Sequence, residues 1–175
     1  MTKVDPVLRA LGHPTRLRML TMMWSGPMSA AGLAAELGIS HGLASQHLRT
    51  LHRAGLVVLD EVRPKRGGRE RLYRAVKGTP LSDQKDAQPL LVEAMISNLR
   101  YRLTAWRPGE TGAVTEGDLW LTPRQWADAR TRLLELSAEM HEQARPPHTP
   151  GTVQVSVTLL AFEMLGRGPE GPAAH

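Results

Sequence analysis

Two groups of side chains in the first half of the chain have the chemistry to hold a polyanion. The run Arg63–Lys77 carries seven basic residues against one acid, Glu70, around the dipeptide Gly67–Gly68. Guanidinium and ammonium groups at that density suit phosphate oxygens, Arg through paired hydrogen bonds and Lys as a point charge. The second group lies on Ser40–Ala54. Apolar Ala44, Leu48 and Leu51 recur there at helical spacing and put His41, Ser45, Gln46 and Arg49 toward the opposite side. Gln can pair two ways with adenine and Arg two ways with guanine, so a helix displaying both suits the reading of base edges.

Other chemistry is poorly served. Cysteine is absent, which removes disulfides, thiolate nucleophiles and sulfur-based zinc sites. His41, His47 and His52 share a helix at spacings of six and five, so no two share a face well enough to chelate. His47 is expected to pack beside Leu48 or touch a backbone phosphate, and His13, in a turn between helices, to act as a cap. Glu139, His141 and Glu142 read as a solvated face. There is no G-x-S-x-G elbow and no phosphate-binding glycine loop, so neither catalysis nor a metal or other cofactor is expected.

Charge is divided along the chain. Residues 1–79 hold 13 Lys/Arg against 5 Asp/Glu, and residues 80–175 hold 9 against 12. The basic half therefore faces a polyanion, with double-stranded DNA the first candidate and anionic membrane a poor second. No apolar run approaches the ~20 residues of a membrane span, and the amino terminus lacks a signal peptide's apolar stretch, so a soluble cytoplasmic protein with no membrane partner is expected.

The elements that must position these groups follow from periodicity and caps. Val4, Val7, Leu8 and Leu11 predict a first helix. Pro14 opens a second, to about Trp24, that buries Leu17, Leu20 and Met23 or Trp24. Ser25–Gly26–Pro27 is a turn. Ser29 caps a third helix, Ala30–Leu37, closed by Gly38. Ser40 caps the fourth, which ends near Ala54 and Gly55. The segments "LVVLDEVR" and "RERLYRAV" then read as two strands around a hairpin tip at Pro64–Gly68. A short helix, the turn "GIS", and a second capped helix have the form of a helix-turn-helix, and the basic hairpin behind it strengthens that reading.

At this point the chain resembles the ArsR-type winged helix-turn-helix transcriptional regulators. The resemblance is carried by "LRALGHPTRLRML" at Leu8–Leu20, "LAAELGIS" at Leu33–Ser40, "SQHLRTLHRAGLV" at Ser45–Val57 and "RGGRERLYRAV" at Arg66–Val76. It implies a mainly α fold with a β-hairpin wing, and a homodimer that binds a partly palindromic operator, usually to repress. Carried over residue by residue, it places DNA recognition on Ser40, His41, Gly42, Ser45, Gln46 and Arg49, and wing contacts on Lys65, Arg66 and Arg69. Arsenic-sensing relatives have thiolates where this chain has Ser29, Ala30 and Ala31. Zinc-sensing relatives use His and carboxylate pairs where the Ala87–Trp106 segment has Glu93 and no histidine. A non-metal-sensing member is therefore implied. A winged helix used for protein contact is the competing function.

Residues 1–79 thus form the expected DNA-binding domain. Residues 80–109 contain a long helix, Ala87–Trp106, whose stripe of Leu91, Met95, Leu99 and Leu103 is expected to dimerise. Residues 110–165 extend past the family's usual length as a small α+β unit. "DLWL" at Asp118–Leu121 suggests a short strand, Thr122–Gln125 a capping box, and Thr152–Phe162 a strand. Trp126, Leu133, Leu136 and Met140 should either pack on the Val153–Ala161 face or enclose with it an apolar pocket for a small effector of unknown identity. The Gly/Pro-rich tail, 166–175, is expected to be disordered.

Overall fold

The computed structural model describes residues 6–65, 67–76, 88–106 and 112–164. Several expectations lie outside these residues: the place of Val4 on the first helix, the role of Arg66, the helix start at Ala87, and the tail 166–175.

Helices α1 (Pro6–Leu11) and α2 (Pro14–Met22) meet at a tight joint. His13 caps α2 as expected, its Nδ1 accepting from the Thr15 amide at 3.2 Å. Pro14 fills the first turn, where a missing N–H is no loss. Arg16 reaches back and donates to the Ala10 and Arg9 carbonyls, both at 2.7 Å, satisfying oxygens that the end of α1 leaves open. Met23 enters the core while Trp24 stays half-buried.

A two-residue strand, β1 (Met28–Ser29), leads into α3 (Ala30–Leu37). Ser29 caps α3, accepting from the Gly32 amide at 3.2 Å. Gly38 ends it at φ 64°, a left-handed conformation that glycine adopts without a Cβ penalty. Gly38, Ile39 and Ser40 then turn the chain into α4 (His41–Arg53).

The hairpin consists of β2 (Val57–Lys65) and β3 (Gly68–Ala75), paired from Val57↔Ala75 out to Lys65↔Gly68. The sheet order is β1–β3–β2. Pro64 is tolerated because β2 is an edge strand, where a missing donor breaks no second ladder. The register slips at Asp60, between Leu59↔Tyr73 and Glu61↔Leu72, and the displaced carboxylate takes the Arg74 Nε at 2.7 Å. The third strand, β1, escapes sequence patterning because two residues carry no period-2 signal.

One core ties these elements together. Leu11, Met19, Leu20, Leu33, Leu51 and Leu56 are at most 1% exposed. Helix α5 (Gln88–Leu103) closes it over α1 and α2, burying Leu91, Ala94 and Asn98. Asn98 donates its side-chain amide to the Pro14 carbonyl at 3.2 Å, and the Arg18 guanidinium lies 3.9 Å from the Tyr101 ring centroid. Residues 6–76 with α5 are a winged helix-turn-helix.

The expected α5 stripe is not one face. Each four-residue step turns 400°, so Leu91, Met95, Leu99 and Leu103 drift about 40° per step around the helix. Leu91 is buried and Met95 packs against the same core, whereas Leu99 and Leu103 are exposed.

The extension departs further from its α+β expectation. Helix α6 (Pro123–Gln143) starts as expected, with Thr122 and Gln125 forming a reciprocal capping box. None of its residues is buried. Residues 118–121 and 152–162, expected as strands, pair with no strand among the described residues. Their apolar side chains stand in solvent, with Trp120 92% and Val153 84% exposed. Among the described residues the two apolar faces of the extension therefore stay largely exposed and do not bury one another as a cap. An alternating pattern says which face needs cover, and does not say what provides it.

Candidate nucleic-acid interface

The candidate surface starts at a cap. Ser40 Oγ accepts from the Leu43 amide at 3.2 Å, which fixes the first turn of α4. Ala44, His47, Leu48 and Leu51 lock the inner side of the helix. His41, Gly42, Gln46 and Arg49 are exposed and Ser45 half-buried on the outer side. Arg53, one turn beyond Arg49 and also exposed, extends this face; its Nε donates to the Arg49 carbonyl at 3.3 Å. Sequence reading passed over it, although its i+4 spacing from Arg49 is the signal that finds it. A Cβ on Gly42 would meet nothing within 4 Å. The fold therefore has no steric need for glycine here, yet its bare backbone leaves room for close approach by a ligand.

The hairpin folds beside this face. Between them lies a cleft of about 410 Å³, with His41, Ser45 and Arg49 on one wall and Lys65, Arg69 and Arg71 on the other. Gln46 and Gly42 belong to the same helix face but do not line the cleft. Of the wing residues expected to touch DNA, Lys65 and Arg69 are placed there and Arg66 lies outside the described residues.

Acids partition the cations of the wing. Arg63 pairs with Glu61 at 2.8 Å, Arg74 with Asp60 at 2.7 Å, and Lys65 with Glu70 at 3.0 Å. Arg69, Arg71 and Arg49 have no carboxylate partner among the described residues. Among the described residues, the wing cations left without a carboxylate partner are therefore Arg69 and Arg71, since Arg63, Lys65 and Arg74 are each paired. Glu70 also accepts from Ser29 Oγ at 2.8 Å, which ties the hairpin to the cap of α3. Hydrogen bonds from Lys65 first and Ser29 second hold the Glu70 carboxyl below the usual carboxylate range.

The model for bacterial regulatory proteins of the arsR family matches residues 13–58, the stretch from the α2 cap through the first strand residues of the wing. Residues 13–58 are an ArsR-family helix-turn-helix domain. The HTH-type transcriptional regulator NmtR of Mycobacterium tuberculosis is 38% identical over 71 residues, which cover 41% of this chain and 55% of that protein. The chain thus spans about half the length of the curated relative it matches. Among solved structures, the transcriptional repressor BigR of Xylella fastidiosa is 28% identical, covering 54% of this chain and 82% of that one with a TM-score of 0.34. A homodimeric winged helix-turn-helix DNA-binding domain of Mycobacterium bovis, described as a possible ArsR-family transcriptional regulator, is 22% identical. It covers 61% and 87% of the two chains with a TM-score of 0.35.

Within the ArsR-family domain, the histidine pair supports α4 from behind. His47 is 7% exposed and its ring centroid lies 4.8 Å from that of His13. Burial, with His13 and Arg16 nearby, holds His47 below the ordinary histidine range; burial and Arg16 do the same for His13, against the opposing pull of a backbone hydrogen bond. Packing is thus the role of His47, and its burial takes it out of reach of a phosphate. No helix among the described residues is long and apolar enough to cross a membrane.

Behind the domain, α5 offers a second apolar face. Val92, Ile96, Leu99 and Leu103 follow a spacing of four, three and four, the first two half-buried and the last two 37% and 47% exposed. That spacing keeps a single line along the helix, unlike the drifting expected stripe.

Proposed function

We propose that this chain is a sequence-specific, double-stranded DNA-binding transcriptional regulator that acts as a homodimer on a partly palindromic operator and represses by occupying it. The observation that carries this reading is the shared cleft, where the exposed face of α4 and the unpaired guanidinium groups of the wing lie side by side. A capped, amphipathic helix of this size fits the major groove, and its first turns reach base edges. Gln46 and Arg49 read bases, with Ser40, His41, Gly42 and Ser45 lining the approach. Arg69 and Arg71 hold phosphate, and Arg66, beside them in the sequence, is proposed to join them. Lys65 contributes less, because Glu70 already neutralises it.

The dimer forms on the Leu99–Leu103 end of α5, with Val92 and Ile96 completing the line. Two-fold pairing there sets two recognition helices about 34 Å apart, one turn of DNA. Genome-wide footprinting with the purified chain tests the proposal. It is expected to return a few sites, each with two inverted half-sites centred about 10 base pairs apart. Uniform coverage, or no protected site, contradicts it.

A further inference from the structure

One carboxylate sits among the cations of the cleft, and its bonds lead out of the hairpin. Glu70 lines the cleft and lies between Arg69 and Arg71 in the sequence. Arg63 stands opposite it across the β2–β3 ladder, but the Arg63 guanidinium is held by Glu61 at 2.8 Å. Glu70 Oε1 accepts instead from Lys65 Nζ at 3.0 Å and from Ser29 Oγ at 2.8 Å. Ser29 in turn accepts from the Gly32 amide at 3.2 Å. A continuous chain of hydrogen bonds therefore runs from the first turn of α3 through Ser29 and Glu70 to Lys65 at the end of β2. Strand β1 pairs with β3 only at Met28↔Tyr73 and Ser29↔Leu72. Beyond that pairing, toward the tip, the Ser29–Glu70 bond is the one hydrogen bond among the described residues that joins the hairpin to the helical body.

A carboxylate costs affinity in a surface that faces phosphate, because it repels the ligand and neutralises a cation that would otherwise displace a counterion. Anchorage alone does not require the charge, since an amide oxygen of the same reach also accepts from a hydroxyl. We propose that Glu70 is a positioning residue with two effects on DNA binding: through Ser29 it sets the wing against the helix-turn-helix, and through Lys65 it withholds one cation per copy from the phosphate backbone. The inference rests on the DNA-binding reading of the cleft and gives the wing a built-in limit on sequence-independent binding. Non-specific affinity is almost entirely electrostatic, so a cation held on the protein lowers it directly.

Two measurements on the full chain test it. Binding to a random-sequence duplex is titrated with salt for the wild type, Glu70→Gln and the double variant Glu70→Gln/Lys65→Met. Amide hydrogen exchange of the hairpin is followed without DNA for the wild type, Glu70→Gln and Glu70→Ala. Glu70→Gln releases Lys65, so it should tighten binding about three- to tenfold near 0.1 M salt and steepen the slope of log affinity against log salt by about 1 per copy. Adding Lys65→Met should take both gains away again. In the free protein, Gln should keep the β2 and β3 amides near wild-type protection. Ala cannot reach Ser29 and should speed their exchange toward the tip by at least about threefold. A slope unchanged by Glu70→Gln, or a gain that survives Lys65→Met, overturns the withheld cation. Exchange that stays at the wild-type rate in Glu70→Ala overturns the anchor. A wild type that binds no duplex at any salt removes the DNA-binding reading and the withheld cation with it, while the exchange comparison still decides the anchor.

Discussion

Leu51, in the last turn of α4, and Leu136, within α6, each belong to the apolar side of an amphipathic helix, yet Leu51 is wholly buried and Leu136 is 54% exposed. The contrast extends to their neighbourhoods. Around α4, connections are tight: Gly38 turns the chain within three residues, and Gly55, at φ 72°, sends it straight into the wing. Each apolar stripe is thereby returned onto the previous element. Around α6 the interactions are isolated. His141 meets the Trp24 ring at a centroid distance of 4.5 Å, His148 pairs with Glu36 at 2.7 Å, and Arg102 holds Val157 and Thr158. Amphipathicity creates a demand for cover, and the connections decide whether the same chain meets it.

The largest effect expected from this contrast is on stability. Leu51→Ala should cost about 2–5 kcal/mol, because the cavity opens between α4 and elements that cannot collapse into it. Leu136→Ala should stay within about 0.5 kcal/mol, since the side chain already stands largely in water. Urea unfolding of dilute protein measures both. A comparable loss at Leu136 would place α6 in a buried setting in solution and break the comparison.

A smaller, graded effect is expected with pH. His13 and His47 both have folded-state affinities for protons below that of an unfolded histidine, chiefly through burial. The unfolded chain then binds more protons below about pH 6.5, so stability is fully present above that pH and declines as pH falls toward the folded values. Geometry adds to the effect: the His13 Nδ1 that accepts from Thr15 becomes a donor once protonated, and the α2 cap is lost. The urea midpoint should rise from pH 5 to pH 7, and His47→Gln should flatten that rise. A wild-type midpoint independent of pH in this range would show that the pair is not held neutral.

The legibility of the molecule divides along the same line. Ser29, Gly38, Ser40 and Gly55 signal their helix ends locally, so the helix-turn-helix and the outer face of α4 are readable before any coordinates. The hairpin is equally local. What escapes is non-local. The strand β1 exists only because β3 lies beside it. The partners of Lys65, Arg63 and Arg74 depend on register and on the bulge at Asp60, so counting charges overstates the free wing. On α5 a four-residue stripe looks like a face until the helical drift is taken into account. In the extension, strand pattern is legible but the identity of the strand's partner is not.

The central claim is a division of labour, in which α4 reads sequence and the wing holds the backbone. A salt titration of binding to operator and scrambled duplexes, for Gln46→Ala, Arg49→Ala and Arg71→Ala, tests it most directly. Gln46→Ala and Arg49→Ala should weaken the operator by about 1–3 kcal/mol more than the scrambled duplex. Arg71→Ala should weaken both alike and flatten the slope of log affinity against log salt by about 1 for each phosphate no longer neutralised, or about 2 for a two-fold dimer. Loss of sequence preference in Arg71→Ala, with preference retained in both α4 variants, would make the wing the reader and contradict the account.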